Sequence, residues 1–160
     1  AVSIRAVASR CSVSAGTIYN YYESKADLLS DTIESIWHEI FFHPEDEQVF
    51  HDVESCISWI YERLEYGNRQ FPGFFSLHSF GFMRDEKTSG KKRMMKTWGH
   101  ILNGLCEVLE NDPKVRADVF DQEFTEKKFA DILFSLILVS MIRQDYDPSS
   151  VLMLVKKTLY

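Results

Sequence analysis

Residues 12–29 read SVSAGTIYNYYESKADLL, and their reading decides the fold. Ala and Gly beside Thr, then three tyrosines around one asparagine, then Ser-Lys, make an odd helix. Gly weakens a helix, and aromatic side chains contribute most when buried. Together they describe a helix start that lets something approach closely and presents polar tips to it. Ser14 is placed to cap a short helix running to about Tyr21, and Ser3 to cap an earlier one ending near Arg10. The tight connection Cys11-Ser12-Val13 joins them as a helix-turn-helix. On the helical wheel Ile18 and Tyr22 face inward beside Val13. Ala15, Gly16, Tyr19 and Asn20 gather on the opposite side, flanked by Thr17 and Tyr21.

That opposite side has the chemistry of a DNA contact. A helix N-terminus offers free amides and partial positive charge to a phosphate. Thr and Asn read base edges, while Tyr hydroxyls hold phosphates. Lys25, one residue past the Ser24 cap, stands where a flanking phosphate passes. The expected partner is double-stranded DNA, touched by Ser3, Ser14, Ala15, Gly16, Thr17, Tyr19, Asn20, Tyr21 and Lys25.

The stretch SIRAVASRCSVSAGTIYNYYESKADLL (3–29) closely resembles the DNA-binding head of the TetR family of bacterial transcriptional regulators. Ser3, Val7, Ala8, Cys11, Val13, Ser14, Gly16, Thr17, Ile18, Tyr19, Tyr21, Tyr22, Ser24, Lys25, Leu28 and Leu29 fall on the family pattern. The resemblance implies that Ser14 to Tyr21 form the recognition helix, with Thr17 and Tyr19 on bases or phosphates and Tyr21 and Lys25 on phosphates. Two departures stand out. Ser12 occupies a turn position where Gly is common, at a cost of about 1 kcal/mol if positive φ is required. The family's first helix has no counterpart, and a preceding segment is expected because Ala1 opens directly in an amphipathic pattern.

The remainder is all helix by pattern. The Ser24 helix repeats Leu28, Leu29, Thr32, Ile33, Ile36, Trp37 and Ile40 at helical spacing and ends at His43-Pro44. Another helix is expected from Glu47 to about Arg69, then a short aromatic segment at 74–84 and a helix over 91–110. Thr125 or Glu126 opens a helix through Arg143, and Asp147-Pro148-Ser149 opens the last. The predicted architecture is all-α and TetR-like: a helix-turn-helix head (1–30) on an antiparallel helical bundle for effector binding and dimerisation (31–160). The head carries Arg5, Arg10 and Lys25 against Glu23 and Asp27, a charge of +1, so the body holds −7 of the net −6. A head more basic than its body suits nucleic acid at that end alone.

Three widely spaced cysteines without a CxxC fit reduced core thiols in a cytoplasmic protein, not a disulfide frame or zinc site. No apolar run reaches the roughly 18–20 residues that span a bilayer, so no membrane partner is expected. Nor is there a nucleotide loop, HExxH, GxSxG or paired Glu-x-x-His. Catalysis, metal and cofactor are therefore not expected. Trp59, Phe74, Phe75, His78, Phe82, Met95 and Trp98 are the candidate walls of an apolar effector pocket, with plain bundle core as the competing reading. Lys87, Lys91, Lys92, Arg93 and Lys96 read as a solvated face. The run LFSLILVSMI (133–142) is apolar all round and needs cover on two sides. A homodimer lined by Phe129, Ile132, Leu136, Ser140, Met141, Val151, Leu154 and Val155 supplies the second side. The function expected is a repressor released from a palindromic operator by a small apolar or aromatic effector. The alternatives are a DNA-binding regulator governed by a protein partner or by no ligand, and a helical interaction protein with a degenerate head.

Overall fold

The computed structural model describes residues 3–42, 50–76 and 89–160, with side chains in the last stretch described from residue 98 onward. Every regular element among them is helical: α1 (Ile4–Arg10), α2 (Ala15–Tyr19), α3 (Lys25–Phe41), α4 (Val53–Gln70), α5 (Ser89–Asn111), α6 (Glu126–Arg143) and α7 (Ser149–Leu159). The helix starts follow their caps. The hydroxyls of Ser3, Ser14 and Ser24 accept from the amides of Ala6, Thr17 and Asp27 at 3.1, 3.0 and 3.2 Å. Thr125 Oγ1 does the same for Lys128 at 3.3 Å.

Two boundaries differ from expectation. The helix expected from Glu47 begins at Val53, because the Asp52 carboxylate accepts from the Ser55 amide at 2.8 Å and so sets the start there. Helix α2 closes at Tyr19, where the amides of Tyr21 and Tyr22 both converge on the Ile18 carbonyl at 3.0 Å. At its far end α6 stops with Gln144 at φ 54°, the Gln144 amide on Met141 and the Asp145 amide on Ser140.

One large core fills the body. Ile40, Ile57, Tyr61, Leu64, Leu105, Leu133, Val155 and Leu159 are almost wholly buried in it. Helix α3 packs on α4 and α5, α5 on α6, and α4 on α7. A separate small core, Ile4, Ala8 and Ile18, binds α1 to α2. Leu28 of α3 packs against that small core, while Trp37 and Ile40 of the same helix lie in the large one. Helix α3 thus belongs to head and body together.

Asp112 ties the far end of the bundle. Its buried carboxylate accepts from the Val53 amide at 3.0 Å and the Tyr160 hydroxyl at 2.5 Å. The start of α4, the end of α5 and the end of α7 meet on one side chain.

Candidate nucleic-acid interface

The head is built on a turn that reverses the chain in a few residues. The Val13 amide reaches back to the Ala8 carbonyl at 3.0 Å, and Ser12 takes φ 56° to permit it. The left-handed conformation anticipated at this position is therefore required, and Ser carries it at the cost of crowding its own Cβ. Ile18 turns inward onto Ile4 and Ala8, with Tyr22 half-buried beside them. Val13, expected inside, is exposed. The reversal at Ser12 turns it away from the small core formed by Ile4, Ala8 and Ile18.

The inward rotation leaves Ser14, Gly16, Thr17, Tyr19, Asn20, Tyr21 and Lys25 exposed, along with Ser3. Tyr19 and Tyr21 are 56% and 80% exposed, well above what core packing gives an aromatic ring. Ala15 departs from expectation. It is half-buried against the Ile4–Ala8–Ile18 core, because it precedes Ile18 by three residues and shares its face. Thr17 is partly engaged: its hydroxyl lies 2.9 Å from Ser14 Oγ, the same oxygen that caps the helix. At Gly16 an added Cβ would meet only Ser14 Oγ, at 3.6 Å, so the helix start stays low. Arg5 and Arg10 of α1 are exposed too, cations that the sequence reading used only in a charge balance.

The predicted pocket residues follow several fates. Phe74 and Phe75 are core, packed on Trp37 with ring centroids 5.6 and 5.8 Å away. Trp59 is half-buried between Phe41 and Phe50. Trp98 packs edge-on against Phe134 of α6, and its indole N–H is buried without a partner among the described residues. His78, Phe82 and the rest of the segment after residue 76 lie outside the described residues, as do the Met95 side chain and those of the basic run. A groove of about 350 Å³, not anticipated, is lined by Phe50, Gly104, Glu107, Val108 and Asn111. No periodicity marks it, because its walls come from α5 and from the segment entering α4.

The predicted two-fold surface divides in the same way. Phe129, Met141, Val151 and Val155 are buried inside the chain's own core and so cannot also line an outer face. They occupy the inner stripe of α6 and α7, with Leu133, Ile137 and Leu159. Leu136 and Ser140 are half-buried, and Ser140 Oγ lies 2.8 Å from the hydroxyl of buried Tyr61. Ile132 and Leu154 are exposed, joined by Val139, Ile142 and Met153. Of the cysteines, Cys56 is a core thiol that burial pushes up to about 12, whereas Cys11 is exposed on the head.

No helix among the described residues is long and apolar enough to cross a membrane. Neither a curated protein nor a solved structure matches the chain. Residues 1–32, the segment that forms the head, match the family model of bacterial regulatory proteins of the tetR family. The motif, the exposed polar face of α2 and this match make residues 1–32 similar to the DNA-binding head of the bacterial regulatory proteins of the tetR family, and they support a DNA-binding transcription regulator.

Proposed function

We propose that the protein is a cytoplasmic homodimeric repressor, released from a pseudo-palindromic operator by a small apolar or aromatic effector. Residues 1–30 read the operator, and residues 31–160 hold the effector and the partner subunit. The observation that carries this reading is the sharing of α3, whose Leu28 packs in the head core and whose Trp37 and Ile40 pack in the body core. A change in body packing then reaches the recognition helix through one rigid element. An effector that favours one body packing shifts the population toward a head spacing that no longer fits successive major grooves. Phe74 and Phe75 fill the core, which leaves half-buried Trp59 and Trp98 as the available members of the predicted pocket wall among the described residues.

The test begins by selecting duplexes from a random pool with the full chain. The expected enriched site is an inverted repeat. Tyr19→Ala should weaken binding to it by about 1–3 kcal/mol. Lys25→Ala should weaken binding to all sequences and flatten its salt dependence. Enrichment of no duplex, or an unaffected Tyr19→Ala, refutes the assigned recognition face.

A further inference from the structure

The groove beside Phe50 has a consistent chemical character. Glu107 contributes a carboxylate with no cation paired to it among the described residues. The Asn111 side-chain N–H donates to the Glu107 carbonyl at 2.7 Å, which leaves its amide oxygen as the free end. Lys114 and Lys156 pair with other carboxylates, Asp52 at 3.1 Å and Glu54 at 3.0 Å. The charged atoms offered to a ligand are thus the Glu107 carboxylate oxygens, with the neutral Asn111 amide beside them. The rest of the wall is Val108, the open space over Gly104 and the exposed Phe50 ring, whose face attracts cations. At about 350 Å³ the volume suits a small organic molecule. We propose that this groove binds a lipophilic organic cation.

An anion of the same shape meets the unpaired Glu107 charge, and a neutral one gains only the apolar wall. The body's charge of −7 also attracts cations over longer range. The groove also lies at one end of a continuous series of rings. Phe50 packs on Trp59 at 5.2 Å, Trp59 on Phe41 at 5.8 Å, and Phe41 on Trp37 at 5.6 Å. Phe41 and Trp37 are on α3, the helix shared with the head. A ligand that moves Phe50 therefore pushes on packing that reaches α3. This coupling rests on the repressor reading above; the binding itself does not.

The test titrates tetraphenylphosphonium and its anionic counterpart tetraphenylborate into the full chain, followed by tryptophan fluorescence and calorimetry. The phosphonium should bind about tenfold or more tightly than the borate, and Glu107→Gln should remove most of that preference. A Cβ at Gly104 meets nothing within 4 Å, so Gly104→Leu fills the groove without disturbing the helix. It should abolish binding while the circular dichroism spectrum is unchanged. Equal binding of both ions, binding of neither, or undiminished binding by Gly104→Leu overturns the proposal. Affinity for the selected duplex, measured with and without phosphonium, tests the coupling separately. Phosphonium that binds yet leaves DNA affinity unchanged overturns the relay alone, and a pool that yields no duplex speaks only against the regulator reading.

Discussion

Gly67 of α4 and Ile40 of α3 touch where no side chain fits between them: a Cβ at Gly67 would lie 2.6 Å from Ile40 Cδ1 and 3.1 Å from Phe75 Cζ. Ile40 and Phe75 are 0% and 1% exposed, so neither can move into solvent. Beside this contact Arg63 donates to the carbonyls of Ile40 and Glu39, satisfying acceptors that the end of α3 leaves open. The crossing therefore fixes the body end of the helix that carries the head.

Gly67→Ala should destabilise the chain despite alanine's better helix propensity. The propensity gain is about 0.5–1 kcal/mol, and overpacking a filled core costs about 1–3 kcal/mol. A net loss of about 1 kcal/mol is expected in urea unfolding, with a larger loss for Gly67→Val. A Gly67→Ala protein more stable than wild type would show that α3 and α4 separate easily.

Ser12→Gly should stabilise the head. Ser12 holds φ 56°, where an L side chain is crowded and glycine is not. The gain should be about 0.5–1 kcal/mol, read as a higher melting temperature. A lower melting temperature would mean that the turn does not need this conformation.

The exposed apolar residues of α6 and α7 give the proposed dimer a direct test. Val139 and Ile132 are 47% and 43% exposed, so a charge at either leaves the chain's own core intact. Val139→Asp should sediment near the mass of one chain, against twice that for wild type, with its helical spectrum retained. Met141→Asp, at a position 3% exposed, should unfold the chain instead. A wild-type monomer at micromolar concentration, or a dimeric Val139→Asp, contradicts the proposed face.

Stability should fall at both extremes of pH, for identifiable reasons. The Ser55 amide, with Lys114 beyond it, holds the Asp52 carboxyl below its usual range. A depressed folded pKa stabilises above the unfolded value of about 3.9 and is lost as pH falls through the folded one. Asp52→Asn keeps the helix cap, lowers stability at neutral pH and should flatten the acid limb of the stability curve. Burial, and then the bond to Asp112, raise the Tyr160 hydroxyl above its usual value. Its contribution is full below about pH 10 and is lost above it, so Tyr160→Phe should flatten the alkaline limb. Unchanged limbs in these variants would place the titration elsewhere.

By itself the sequence determined the elements and the head. Ser3, Ser14, Ser24 and Thr125 each announced a helix start, because capping is local and needs only a hydroxyl a few residues from an amide. The helix-turn-helix was legible for the same reason, being a short-range pattern in which residue type and spacing together fix the turn. Tertiary structure decided which apolar residues are spent inside. Phe129, Met141, Val151 and Val155 are as hydrophobic as Ile132, Val139 and Leu154, yet the first set is core and the second is exposed. Hydrophobicity says that a side chain seeks cover and is silent on which neighbour supplies it; the rotation of each helix against α4 and α5 settles that. The groove at Phe50 and Glu107 was illegible on the same ground, since the two are distant in sequence and only packing brings them to one wall. Gly67 showed the limit most directly: in sequence it is a helix-weakening residue, and only the approach of Ile40 gives the missing Cβ its purpose.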